Sequence, residues 1–228
     1  MLPLAILAGG LAARMRPLTE NIPKSLLEVA GEPFIFHQLR LLRRQGIDDV
    51  VLCVGHLGWM IEERVGSGEA FGLRIRYAFD GPRLLGTAGA LKQALPLLGQ
   101  VFFVLYGDSY LTCDYKAVEE AYKRSGKPAL MTIYCNRGQY DRSNVVFGQD
   151  GIVCYDKKNI RPDMLYIDYG LGILQSGLLE KLPDGEPADL ADVYKALARD
   201  GMLAGYEAPE RFYEIGSPAG LAELTAKL

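Results

Sequence analysis

Through the first half of the chain, short apolar runs alternate with stretches whose apolar residues recur at helical spacing. The pattern predicts a buried strand over 4–7 with Gly9 and Gly10 directly behind it. A helix follows over 33–45, with Pro33 at its first helical position, Ile35, Leu39 and Leu42 on one face, and Gly46 as its stop. A strand over 50–54, a short helix over 57–65, a strand over 73–78, a helix over 87–98 and a strongly apolar strand over 101–106 come next. Strand and helix in strict alternation argue for a doubly wound α/β fold, because parallel neighbours need crossover connections.

Beyond Tyr106 the alternation loosens. A helix is expected over 115–124 and a strand over 129–135. The stretches 144–147 and 152–155, separated by a segment containing Asp150-Gly151, read as a hairpin. Further strands are expected over 164–174, 203–207 and 212–215. Leu190, Val193 and Leu197 mark one face of a helix, and Ser217-Pro218 supplies an N-cap and N1 pair for a last one. With no repeat, low-complexity tract or linker, positions 1–228 read as a single domain. Its mixed, mainly parallel sheet carries helices on both faces, a three-layer Rossmann-like arrangement, with a small antiparallel flap added by the second half.

Composition narrows the ligand. Among 228 residues, Lys plus Arg total 25 and Asp plus Glu 28, a formal net charge of −3, so no basic surface draws the chain to nucleic acid. A bound phosphate must be met by a few placed cations and backbone amides. The four cysteines form no Cys-x-x-Cys pair, and His37 and His56 make no metal-ligand spacing with them, which reads as reduced thiols in a cytoplasmic protein. The apolar N-terminus lacks a basic leader and is broken by the glycine pair, so it does not read as a signal peptide. No apolar run approaches a membrane span.

The stretch from Leu7 through Ala8, Gly9 and Gly10 to Arg14, Pro17-Leu18-Thr19 and Pro23-Lys24 concentrates the chemistry. Glycines directly after a strand leave main-chain N–H groups open to a phosphate or a base edge, and Arg14 and Lys24 add positive charge. The same residues also suit a tight turn with solvated cations. Two familiar alternatives fail: positions 10–15 do not spell a dinucleotide fingerprint, and no Gly-Lys-Ser/Thr follows for a Walker loop. Asp108, just past an apolar strand, suits either a turn cap or a ligand contact at the carboxyl edge of a parallel sheet.

The Leu-Ala-Gly-Gly opening, Arg14, Pro17-Leu18-Thr19, Pro23-Lys24 and Val29-Ala30-Gly31-Glu32-Pro33 resemble the start of the sugar-1-phosphate nucleotidyltransferases. Later landmarks keep that family's order: Leu85-Gly86-Thr87-Ala88-Gly89-Ala90, Tyr106-Gly107-Asp108, Tyr155-Asp156-Lys157, Ile167-Asp168-Tyr169-Gly170 and Tyr213-Glu214-Ile215-Gly216-Ser217-Pro218. Where the family usually has Gly and Thr, this chain has Ala12 and Ala13. Ala12 is expected to avoid positive φ and so to reshape the loop. Ser25 replaces a frequent Pro, Glu214 an Asp, and Asp168-Tyr169 an Asn-Ala or Asn-Gly.

The resemblance implies a nucleotide-diphospho-sugar transferase fold and transfer of a nucleotidyl group from a nucleoside triphosphate to a sugar 1-phosphate, with release of pyrophosphate. It implies nucleotide contacts from Leu7, Ala8, Gly9, Gly10, Arg14, Lys24, Gly86, Thr87 and Gly89. It also implies Mg²⁺ on Asp108 and Glu214, and sugar-phosphate contacts from Lys157, Asp168 and Gly170. Arg14, Lys24, Asp108 and Lys157 would carry catalysis, by positioning and charge neutralisation. His37 and Asp114 read as structural. About one helix follows Ser217, leaving no room for a C-terminal β-helix or acyltransferase domain, as in the short heptose 1-phosphate guanylyl- and N-acetylmuramate 1-phosphate uridylyltransferases. The 85–90 segment leans toward guanylyl transfer to a manno- or heptose-type sugar. Uridylyl or cytidylyl transfer to another sugar or polyol phosphate, and a catalytically weak nucleotide-sugar sensor, are the alternatives. A homo-oligomer is compatible with either role.

Overall fold

Leu4 and Ile6 point to one side of the first strand and Ala5 to the other, and all three are fully buried. A strand buried on both faces needs cover on both. The computed structural model, which describes residues 1–228, supplies it with a three-layer arrangement. In chain order the elements run β1 (Leu4–Leu7), β2 (Glu28–Val29), β3 (Glu32–Pro33), α1 (Phe34–Arg44), β4 (Asp49–Val54), α2 (Gly58–Val65), β5 (Arg74–Phe79) and α3 (Gly86–Leu98). Then come β6 (Val101–Tyr106), β7 (Ser109–Tyr110), α4 (Tyr115–Ser125), β8 (Ala129–Tyr134), β9 (Val145–Gly148), β10 (Gly151–Tyr155) and β11 (Ile167–Gln175). The chain closes with α5 (Gly177–Glu180), α6 (Leu190–Arg199), β12 (Leu203–Glu207), β13 (Tyr213–Glu214) and α7 (Pro218–Lys227).

Seven strands form the central sheet in the order β12-β8-β11-β6-β1-β4-β5. β1 lies parallel to both β4 and β6, β4 to β5, and β12 to β8, while β11 runs antiparallel to β6 and β8. On one face Leu4, Ile6, Phe103 and Leu105 pack with Leu39 and Leu42 of α1, Ile61 of α2 and Val118 of α4. On the other, Ala5, Val51, Phe102 and Val104 meet Leu91 and Ala94 of α3 and Tyr194 and Leu197 of α6. Burying each such Leu, Val or Phe contributes about 1.5–3 kcal/mol.

Element types agree with the sequence expectations, and ends shift by up to three residues. Pro33 pairs in the β2–β3 hairpin and caps α1, instead of occupying its first helical position. That hairpin, β7, α5 and the 3₁₀ turns at Ala13–Met15 and Lys24–Leu26 were not indicated by periodicity. Ser217 caps α7, its hydroxyl accepting from the Gly220 N–H at 3.0 Å. A third, small core of Val29, Phe34, Leu41, Tyr110, Ile215 and Leu224 fastens α7 and β13 beside β7. β1 has β4 on one side and β6 on the other, so the chain's direction of winding reverses beside β1, and the carboxyl ends of β1, β4, β5 and β6 open onto one crevice.

Candidate active site

A cavity of about 250 Å³ occupies that crevice. Its wall is built from residues at and just past the four strand ends: Leu7 to Gly10, Cys53, Asp80, and Tyr106 to Asp108, together with Ala12, Lys24, Gly86 and Thr87. The Gly9 and Gly10 N–H groups make no bond within the protein, and a Cβ on Gly10 would meet nothing within 4 Å. Gly9 is small for a packing reason, since a Cβ there would stand 3.0 Å from the Gly55 nitrogen. Gly107 is held more tightly, because a Cβ would be 2.4 Å from the Leu7 carbonyl oxygen.

Ala12 corrects the expectation drawn from its side chain. It adopts φ 48° and ψ 39°, the left-handed conformation, and caps the 3₁₀ turn at Ala13–Met15. Its carbonyl accepts from the Met15 N–H at 2.9 Å and from the Thr19 hydroxyl at 3.0 Å, bonds that fix the loop in this strained form.

Asp108 and Glu214, 106 positions apart in the chain, meet through a two-stranded ladder. β7 and β13 pair with Glu214 opposite Ser109, and the Ile215 N–H donates to the Asp108 carbonyl at 2.9 Å. Asp108 Oδ2 and Glu214 Oε2 lie 3.2 Å and 2.6 Å from the position a Cβ on Gly216 would take, and Arg14 Nη2 lies 3.4 Å from it. Only glycine leaves that space open. The Lys24 ammonium donates to Asp108 Oδ2 at 2.6 Å. Glu214 is held by the Gly216 N–H and by the Ser217 hydroxyl, which donates to Oε1 at 2.6 Å. Arg14 forms no ion pair and borders a second hollow that shares Ala12 and Lys24 with the cavity.

Behind Tyr106 stands a second polar group. The Tyr106 and Tyr155 hydroxyls donate to Asp168 Oδ2 at 3.3 Å and 3.1 Å, the Lys157 ammonium lies 3.6 Å from the same oxygen, and the Gly170 N–H donates to Oδ1 at 3.1 Å. Burial, followed by the nearby Asp168 charge, raises both phenols above the ordinary tyrosine range, so they remain donors. Gly170 has φ 101° and would bring a Cβ to 2.9 Å from the Ser109 hydroxyl, beside Asp108. The Lys158 N–H donates to Asp156, whose carboxyl is held below the usual range first by Lys195 and then by Asn159.

The start of α3 departs from the sequence expectation. The N–H groups of Ala88 and Gly89 both donate to the Ala188 carbonyl, at 2.9 Å and 3.3 Å, and the Leu85 N–H donates to Asp80 Oδ2 at 3.1 Å. Of this segment Gly86, Thr87 and Ala90 border the cavity. Gly89 is buried, where a Cβ would crowd the Glu186 carbonyl at 3.0 Å, so packing against the 186–188 loop accounts for it. The Thr87 hydroxyl is occupied too, donating to Asp189 and accepting from the Leu190 N–H. His37 and Asp114 are structural as expected: the His37 ring contacts the Val29 carbonyl at 2.8 Å, and Asp114 caps α4.

Sequence reasoning missed Asp80 and the two tyrosine hydroxyls. Asp80 follows β5 as Asp108 follows β6, an acid just past a strand at the carboxyl edge, and that position was a readable signal. Burial raises its carboxyl above the ordinary value. Cys53, also in the wall, has its thiol pushed up to about 12 by burial and by Asp80, and so does not serve as a thiolate nucleophile near neutral pH.

A glycine-lined crevice with placed cations and a converging acid pair belongs to an enzyme that handles phosphorylated ligands. The family described as nucleotidyl transferase matches residues 4–150. An N-acetylmuramate alpha-1-phosphate uridylyltransferase of Neisseria meningitidis is 32% identical over 97% of this chain and 96% of its own length. One of the same description from Caulobacter vibrioides is 32% identical over 98% of this chain and 95% of its own. Among solved structures, HddC from Yersinia pseudotuberculosis, complexed with GMP-PN, shares the fold at TM-score 0.81 and 22% identity, covering 100% of this chain and 99% of that one. The chain belongs to the nucleotidyl transferase family, in its sugar-1-phosphate group.

Proposed function

We propose that the protein joins a uridylyl group from UTP to the 1-phosphate of an N-acetylmuramate-type sugar, releasing pyrophosphate. The choice of base and sugar follows the two relatives that match nearly end to end. It replaces the guanylyl and manno- or heptose reading, which leaned on the 85–90 segment. Within that segment the N–H groups of Leu85, Ala88 and Gly89 are engaged with Asp80 and Ala188.

The observation that carries the chemistry is the convergence of Asp108, Glu214 and Arg14 on the space above Gly216, beside a cavity walled by open backbone amides. An oxygen of the sugar phosphate attacks the α-phosphorus in line. The new phosphorus–oxygen bond forms as the bond to the bridging oxygen of pyrophosphate breaks, and the electron pair leaves with pyrophosphate. The attacking oxygen is already anionic, so no protein base or covalent nucleophile is required. The barrier comes from bringing two anions together, and it falls through positioning and charge neutralisation. In this reading the Gly9 and Gly10 amides take phosphate oxygens, Arg14 neutralises the outgoing pyrophosphate, Lys24 lies along the reacting phosphate, and Lys157 holds the sugar phosphate.

The donor set at Gly216 fits Mg²⁺. Two carboxylates suit an ion that takes few protein ligands and fills its remaining positions with phosphate and water oxygens; Asp108 Oδ1, touched only by Ser109 at 3.5 Å, is the open oxygen, while Oδ2 is held by Lys24 and both Glu214 oxygens accept hydrogen bonds. When bound on Asp108 and Glu214 it would supply further charge neutralisation for the phosphates. Four unpaired thiols are compatible with a cytoplasmic setting.

The test is pyrophosphate release over a grid of four NTPs and several sugar 1-phosphates. UTP with N-acetylmuramate 1-phosphate is expected to give the largest kcat/KM, with no release when either substrate is omitted. A maximum with GTP and a manno- or heptose 1-phosphate would overturn the choice of base and sugar. Heat stabilisation by nucleotide without release anywhere on the grid would point instead to a sensor.

A further inference from the structure

The Asp168 side chain is only 5% exposed, and four donors converge on it: two phenols and an ammonium on Oδ2, and the Gly170 amide on Oδ1. A carboxylate offers about four lone-pair sites. Oδ2 is thus fully occupied and Oδ1 keeps one lone pair on a side chain that is almost wholly buried, which leaves Asp168 little access to a sugar hydroxyl, whereas Lys157, 44% exposed, keeps its outer side open. The Lys157 ammonium also stands 4.9 Å from the centre of the Tyr106 ring and 3.5 Å from its hydroxyl, and Tyr106 is itself part of the cavity wall. The backbone fixes the arrangement further, since the Asp168 N–H donates to Asn144 Oδ1 at 3.0 Å, tying β11 to the start of the β9–β10 hairpin that carries Lys157.

We infer that Asp168 is a positioning residue and not a sugar contact: its charge, with the Tyr106 and Tyr155 hydroxyls, draws the Lys157 ammonium onto the edge of the cavity. This replaces the direct sugar contact expected from sequence, and its catalytic consequence rests on the function proposed above. The physical reason lies in the residue type. A carboxylate accepts from all three neighbours on one oxygen, while an amide at this place would turn its own NH₂ toward donors or toward an ammonium.

Two measurements test it, one of them independent of turnover. Amine labelling with trinitrobenzenesulfonate, read peptide by peptide, compares Lys157 with its neighbour Lys158 in wild type and Asp168→Asn. Labelling of Lys157 is expected to rise about two- to fivefold, as for loss of a partly exposed ion pair, with Lys158 unchanged. An unchanged ratio between the two lysines would refute the positioning role even if the protein has no transferase activity. The second is a double-mutant cycle on the KM for sugar 1-phosphate. Asp168→Asn is expected to raise KM severalfold in the wild type and to have no further effect in a Lys157→Met background. Effects that multiply would restore Asp168 as a direct sugar contact, and absence of turnover in the wild type would count against the proposed function alone.

Discussion

Ala12 shows how far a single residue's chemistry predicts its conformation. An alanine disfavours the left-handed region by about 1–2 kcal/mol, yet it is found there because two donors on its carbonyl hold the turn. Ala12→Gly relieves that strain and gives back part of the gain as unfolded-chain entropy, so a rise in Tm of about 1–4 °C is expected by calorimetry. A fall in Tm would show that the loop is unstrained. The identities of Lys24, Asp108 and Glu214 were legible from their order along the chain. The hydrogen bonds that set their roles were not, because the Lys24–Asp108 contact and the donors on Asp168 join residues far apart in sequence.

Among the elements, those with strong periodicity could be read directly. β1 and β6 end where their apolar runs end, since a run buried on both faces stops where the core stops. The two-residue strands β2, β3 and β7 carry no period to read, yet β7, by pairing with β13, is what sets Glu214 beside Asp108. The junction of β5 and α3 depends on Asp80, whose carboxylate accepts the Leu85 N–H. Burial raises the folded carboxyl of Asp80 above its unfolded value. Its contribution to stability is therefore fully present below the unfolded pKa and is lost as pH rises through the folded one. Asp80→Asn keeps an acceptor for Leu85 and removes the buried charge. Its Tm is expected to exceed that of wild type at pH 7, with the difference shrinking as pH falls toward the unfolded value near 3.9. A difference that is constant with pH would show that the carboxylate is not paying for its burial.

For the whole molecule, the first half was legible as a parallel, doubly wound sheet, and the family resemblance supplied the site's inventory. The resemblance implied that Asp108 and Glu214 meet, and what neither supplied is the means: the 3₁₀ turns carrying Arg14 and Lys24, the pairing of β7 with β13, and a small third core that folds the C-terminal strand back. That core uses Ile215 and Leu224 to fasten the region around Glu214, a packing relation invisible to local pattern. Asp108 and Glu214 are proposed to act together on Mg²⁺ at one point beside the cavity. The most direct test of that joint action is the rate of pyrophosphate release as Mg²⁺ is titrated, wild type against Asp108→Asn, each checked for an unchanged Tm. The variant is expected to lose about 10²-fold or more in kcat, with part of the loss recovered at higher Mg²⁺. Full activity of Asp108→Asn at limiting Mg²⁺ would contradict it.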